Sequence, residues 1–62
     1  MIKEYDLVKT LVTKNSFPIG SKGIVVSIYS DNKACEVEIW DSDNYPIDVI
    51  TYLITELEKI EP

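Results

Sequence analysis

The residues of this sequence best suited to chemistry are acidic, and several of them gather between positions 36 and 48. Asp41 begins the run DSDN, which starts like a calcium-binding loop. Such a loop needs an acid or amide at its fifth position, glycine at its sixth and glutamate at its twelfth. Here those positions hold Tyr45, Pro46 and Tyr52. We therefore expect a solvated turn and no metal site.

Glu36 and Glu38 form a second acidic pair. If they share one face of a strand, their side chains lie about 7 Å apart, given the rise per residue. The acid and base of a glycosidase have a similar spacing. A chain of 62 residues, however, buries only about 60% of its surface and builds one small core, without a cleft for a substrate. We therefore expect no catalytic residues, no cofactor and no enzymatic activity.

Cys35 is the single cysteine of a chain that contains no histidine. It has no partner for an intramolecular disulfide, and the chain lacks the ligands of a zinc site. Its position on the apolar side of a strand predicts a buried, unreactive thiol. Gly20 and Gly23 are spaced for a turn, and Lys22 is the only lysine between them. We expect Gly20 to adopt a positive φ, and no phosphate-binding loop.

Short β-strands must position these residues. Four segments combine β-branched or aromatic residues with two-residue alternation, and turn-forming residues separate them. The predicted strands are residues 6–12, 23–30, 34–40 and 47–52. In the third strand Cys35, Val37 and Ile39 are expected to face the core, because the intervening positions are mostly charged.

The C-terminal run TYLITELEKI fits two patterns. Leu53, Leu57 and Ile60 have helical spacing, but the run also fits a 3₁₀ turn followed by the short strand LEKI. We favour the turn and strand over a terminal helix, because small β domains usually close their edges. Five short strands, one long first loop and two tight turns predict an all-β fold. We expect one domain over residues 1–62, a small SH3-like five-stranded antiparallel barrel.

The outward side of the third strand is the candidate partner-binding surface. Trp40 shares that side with two glutamates, and further acids follow at the strand's end and on the next strand. Tyr45 and Tyr52 are expected to border it. The predicted contact residues are Glu36, Glu38, Trp40, Asp41, Asp43 and Asp48. Aromatic anchors surrounded by acids suit a basic protein. The alternative is that Trp40 closes one end of the core and the acids are only solvated.

The charge of the chain is unevenly distributed. The net charge is −5, with +2 in residues 1–30 and −7 in residues 31–62. An acidic domain repels phosphate backbones, so we expect no direct binding to nucleic acid. The N-terminal run MIKEYDLVK carries charges where a signal peptide needs an apolar stretch, and no apolar run approaches a membrane span. We expect a cytoplasmic protein that does not contact a membrane.

Several runs together resemble a known family. They are DLV, FPIGSKGIVV, CEVEIWD and VITYLITELE. They resemble a family of small bacterial SH3-like proteins of largely unassigned function, and the run GSKGIV is similar to the G-x-x-G-x-V turn of KOW-type barrels. The resemblance covers nearly the whole chain, and its motifs report turns and core strands. Trp40 departs from the pattern, which more often has a smaller strand residue at this place.

Members of such families are often encoded beside polymorphic toxins and contact-dependent growth-inhibition systems, so the resemblance implies an immunity protein. Its partner would be a cognate basic toxin, and a nuclease is favoured because nucleases need cationic surfaces to hold phosphates. Two alternatives stay open. One is a KOW-like adaptor that binds a translation or transcription component. The other is a stand-alone homodimer with a structural role that uses Trp40 at a self-complementary face.

Overall fold

Five antiparallel strands form one sheet in the computed structural model, which describes residues 1–60. Among these 60 residues, one 3₁₀ turn lies between the last two strands. In chain order the elements are β1 (Leu7–Thr10), β2 (Lys22–Ile28), β3 (Ala34–Trp40), β4 (Pro46–Leu53), the 3₁₀ turn (Ile54–Glu56) and β5 (Leu57–Lys59). The predicted all-β fold is confirmed, and so is the turn followed by a short strand at the C-terminal end.

The strand order in the sheet is β4-β3-β2-β1-β5, so β4 and β5 are its two edges. Each neighbouring pair of strands is antiparallel. Within residues 1–60 the two edge strands do not pair with each other, so the sheet is open and the predicted closed barrel is not confirmed.

The core lies against one side of the sheet. On β3, the predicted inward residues Cys35, Val37 and Ile39 are all buried, because they alternate with the charged positions. Antiparallel pairing places Ile50 opposite Val37 and Tyr52 opposite Cys35, and both partners are buried as well. The rest of the core comes from the other strands, namely Val8, Val25 and Leu57.

Tyr52 corrects one expectation. We predicted that it borders the outward surface, but its side chain is fully buried opposite Cys35. The alternation along β4 does not decide which row is inward, because Ile47 and Val49 on one row are as apolar as Ile50 on the other. The structure buries the row that contains the large tyrosine ring and leaves Ile47 and Val49 about half exposed.

The long loop between β1 and β2 is fastened to β1 by Thr10, the one buried polar residue among those described. Its hydroxyl donates to the Pro18 carbonyl at 3.1 Å and accepts the Ser21 N–H at 3.2 Å. Gly20 donates its N–H to the Thr10 carbonyl and has a φ of 91°, the positive value expected from the sequence. The loop is therefore held by hydrogen bonds at the end that enters β2.

Cys35 is expected to be chemically silent in the folded protein. Burial raises the pKa of its thiol above the ordinary value of 9.0, and the neighbouring Glu36 carboxylate adds to the increase. The thiolate is the reactive form, so both access and ionisation are reduced. We expect DTNB to label the native protein at least about tenfold more slowly than the protein in denaturant. Rapid native labelling, followed by absorbance, would show that β3 opens readily.

Candidate functional site

The outer side of β3 carries three of the predicted contact residues. Glu36, Glu38 and Trp40 alternate with the buried positions, and each is partly exposed. The indole Nε1–H of Trp40 donates to Glu38 Oε1 at 2.9 Å. The hydroxyl of Thr51, on β4, donates to the Glu36 carboxylate. Both carboxylates are therefore oriented by neighbouring side chains on the outer side of the sheet.

Trp40 belongs to this outer surface and not to the core. Within residues 1–60, neither the core cluster nor the partly buried side chains packed against it include Trp40. A partly exposed tryptophan held by a hydrogen bond has a restricted orientation. It is thus available to a partner at little cost in side-chain entropy.

Asp41 organises the turn between β3 and β4. Its Oδ1 accepts the N–H groups of Asp43 and Tyr45 at 2.9 and 3.0 Å. Its main chain also bonds to the turn, since the Asp41 N–H donates to Tyr45 O and the Asn44 N–H donates to Asp41 O. Aspartate commonly has this role in turns. Asp43 is exposed on the same turn.

Asp48 lies on the other side of the sheet. It pairs with the buried Ile39, and directly opposed residues in antiparallel strands point to the same side. Its Oδ1 accepts the N–H of Val49 at 2.8 Å. The register shifts after this pair, so that Trp40 pairs with Pro46. The six predicted residues therefore do not share one face: three lie on the outer side of β3, two on the adjoining turn, and Asp48 is separate.

The outer side of the sheet is more apolar than the sequence indicated. Val49 and Ile24 pair with Glu38 from either side, and Leu7 pairs with Ile24. Glu38 therefore stands in an apolar row that crosses four strands. Val49 and Leu7, at the two ends of this row, are 50% and 39% exposed. Trp40 lies beside that row. We call the surface formed by Leu7, Ile24, Glu38, Trp40 and Val49 the Trp40 face.

A cleft of about 390 Å³ lies at one end of the Trp40 face. Trp40 forms part of its wall, between the end of the β1–β2 loop and the β3–β4 turn. The remaining lining residues are Gly20, Ser21, Lys22, Asp41, Ser42 and Asn44. Lys22 and Asp41 supply one charge of each sign, so the cleft suits a polar side chain of a partner better than a purely apolar one.

A second cluster of charged groups centres on Lys14. Its Nζ lies 3.0 Å from Glu56 Oε1, donates to the Thr51 carbonyl at 3.1 Å and stands 5.0 Å from the centre of the Tyr52 ring. Glu56 also accepts the N–H of Leu53 at 2.8 Å. Lys14 therefore connects the β1–β2 loop to the edge strand β4 and to the 3₁₀ turn. Sequence periodicity did not indicate this contact, because its partners are distant in the chain.

Glu56 is expected to make folding stability depend on pH. The Leu53 N–H, and then the Lys14 side chain, hold the pKa of the Glu56 carboxyl below its ordinary value of 4.5. A carboxyl with a depressed folded pKa adds stability above its unfolded pKa, and this is lost as pH falls through the folded value. We expect the free energy of unfolding to fall below about pH 4.5, and to fall less in Glu56→Gln. Urea titrations on both sides of that pH measure the difference, and equal losses would contradict it.

Comparison with protein-family models, with curated proteins and with solved structures gave no match to this chain. Among the residues described, no helix is long and apolar enough to cross a membrane. The same residues contain no cluster of side chains arranged to hold a metal ion.

Proposed function

We propose that this domain is a protein-binding module whose contact surface is the Trp40 face. The observation that carries the proposal is the position of Trp40, which lies outside the core, beside a row of apolar side chains, and donates a hydrogen bond to Glu38. Tryptophan is among the residues most enriched at the energetic centres of interfaces. The apolar side chains of this face are neighbours and are all at least partly exposed, which also favours a contact surface.

The partner that suits this surface is a basic protein. A standard interface takes about 800 Å² from each side, roughly a fifth of the 4206 Å² that the domain exposes. The carboxylates of Glu36 and Glu38 lie on the outer side of β3, Asp41 lines the cleft beside Trp40, and the whole chain has a net charge of −5. Such a charge distribution speeds association with a cationic partner and favours it over acidic ones.

Within this class we favour an immunity protein that neutralises a cognate nuclease toxin in the cytoplasm. A nuclease holds phosphates on a cationic surface, and an acidic domain that covers this surface excludes the nucleic acid. The resemblance to SH3-like families encoded beside toxins supports this choice. The strand order β4-β3-β2-β1-β5, with a 3₁₀ turn before the last strand, is consistent with an SH3-like fold.

The KOW-like adaptor is less well supported, because it needs a basic loop to face RNA. The β1–β2 loop offers Lys14, with Lys22 at the start of β2, and Lys14 is already bound to Glu56 and Thr51. A homodimer that buries the Trp40 face against itself uses the same surface as the proposed partner. It is therefore an outcome of the tests and not a separate site.

The proposed function is tested by co-expressing this domain with the product of each gene that flanks the gene of the domain. We expect one of these products to be basic and to arrest growth, and the wild-type domain to restore growth. Glu38→Lys should abolish protection. Asp31→Lys makes the same charge change on the β2–β3 turn, at the opposite end of the hairpin from Trp40, and should still protect. Equal protection by both variants would remove the Trp40 face from the mechanism.

A further inference from the structure

The edge strand β4 has backbone groups that are capped by charged side chains. It has one neighbouring strand, β3, so its other side has no strand to bond to among the residues described. Three contacts supply the caps: the Val49 N–H donates to Asp48 Oδ1 at 2.8 Å, Lys14 Nζ donates to the Thr51 carbonyl at 3.1 Å, and the Leu53 N–H donates to Glu56 Oε1 at 2.8 Å.

The capped groups follow the period of a strand edge. Val49, Thr51 and Leu53 are spaced two residues apart, which is the interval at which an antiparallel strand directs its N–H and C=O groups to the same side. These are the groups to which an additional strand would bond. Their bonds to a lysine and two acids therefore occupy the positions that a further strand would need.

In other respects β4 is well suited to pair with another strand. It is eight residues long, and its exposed side chains include Ile47, Val49 and Leu53, each at least 50% exposed. Long exposed edges with apolar, β-branched side chains are common sites of pairing between chains. A new strand would first have to break three hydrogen bonds to charged groups, which are stronger than bonds between neutral groups.

We propose that Asp48, Lys14 and Glu56, by bonding to backbone groups of the β4 edge, prevent β4 from pairing with β4 of a second copy of this chain. The three residues belong to three separate segments, namely β4, the β1–β2 loop and the 3₁₀ turn. Lys14 and Glu56 are paired with each other at 3.0 Å, so each also fixes the position of the other. The proposal is independent of the proposed function, and it leaves the Trp40 face as the surface open to partners.

The test removes two of the caps. Asp48→Ala with Lys14→Met frees the Val49 N–H and the Thr51 carbonyl and keeps Glu56 in the 3₁₀ turn. Asp31→Ala with Lys3→Met is the matched control, because it also removes one exposed aspartate and one exposed lysine, neither of which belongs to the β4 edge or to the Trp40 face. Light scattering over a range of concentrations should give twice the 7.1 kDa chain mass for the uncapped variant. The wild type and the control should keep the single-chain mass. A folded uncapped variant that also keeps the single-chain mass would overturn the proposal.

Two further variants keep the test decisive. Trp40→Ala added to the uncapped protein should leave the dimer intact, and loss of the dimer would assign it to the Trp40 face and overturn the proposal.

If the uncapped protein does not fold, Asp48→Ala alone is measured by amide hydrogen exchange. We expect the Val49 amide to exchange at least about tenfold faster than in the wild type at low concentration. An unchanged rate would show that Asp48 does not cap this edge.

Discussion

Gly23→Ala is expected to destabilise the domain by about 3 kcal/mol or more, because a methyl group at this position has no room. Gly23 pairs with Val8 on β1 and with Ile39 on β3, so its backbone is fixed from both sides. An added Cβ would overlap the carbonyl oxygen of Glu38 and lie 2.9 Å from Val37 Cγ1. A domain of this size has a total stability of about 3 to 9 kcal/mol, so the variant would lose about a third of it or more.

Gly20→Ala is the control for this prediction. Its φ of 91° is unfavourable for alanine, but nothing lies within 4 Å of the added Cβ. We expect a cost of about 1 kcal/mol, from backbone strain alone. Urea unfolding of the wild type and both variants measures the three stabilities. If the two glycine variants lose the same stability, the close approach of β2 and β3 at Gly23 is not what this glycine provides.

Trp40→Ala is expected to weaken binding of the basic partner at least about 30-fold, or about 2 kcal/mol, the usual effect of truncating an interface tryptophan. The stability of the domain should change by less than about 1 kcal/mol, because Trp40 lies outside the core. Titration calorimetry gives the affinity, and urea unfolding of the same samples gives the stability.

Tyr29→Ala supplies the matched control for Trp40→Ala. Tyr29 is another aromatic residue on the surface, 44% exposed, but it lies at the β2–β3 turn, away from the Trp40 face. Its replacement should leave the affinity unchanged within about twofold. If Trp40→Ala instead unfolds the domain and binds normally when folded, Trp40 has a structural role, and the proposed contact surface is wrong.

Strict alternation made β3 predictable from the sequence, since its bounds and its buried row follow from glutamates between apolar residues. The same reasoning did not decide β4, where both rows are apolar, so Tyr52 was expected on the wrong side. The displacement of Asp48 has a related cause. The hairpin between β3 and β4 predicts that Asp48 lies near Trp40. The pairing of Asp48 with Ile39 instead directs its side chain to the core-facing side of the sheet.

Local sequence patterns do not predict contacts between segments that are distant in the chain. Lys14 and Glu56 are 42 residues apart, and nothing in the spacing of either residue indicates that they pair. The apolar row around Glu38 was missed for a similar reason. Leu7, Ile24 and Val49 come from three strands, and only the register of the sheet brings them to one surface.

The Trp40 face is tested most directly by an NMR titration of the isotope-labelled domain with its basic partner. We expect the largest chemical-shift changes at the Trp40 indole N–H and at the amides of Glu38, Ile24 and Val49. Added salt should reduce the association rate, because acidic groups steer the encounter. If the largest changes lie on β5 or in the 3₁₀ turn and the Trp40 indole signal does not move, the Trp40 face is not the contact surface.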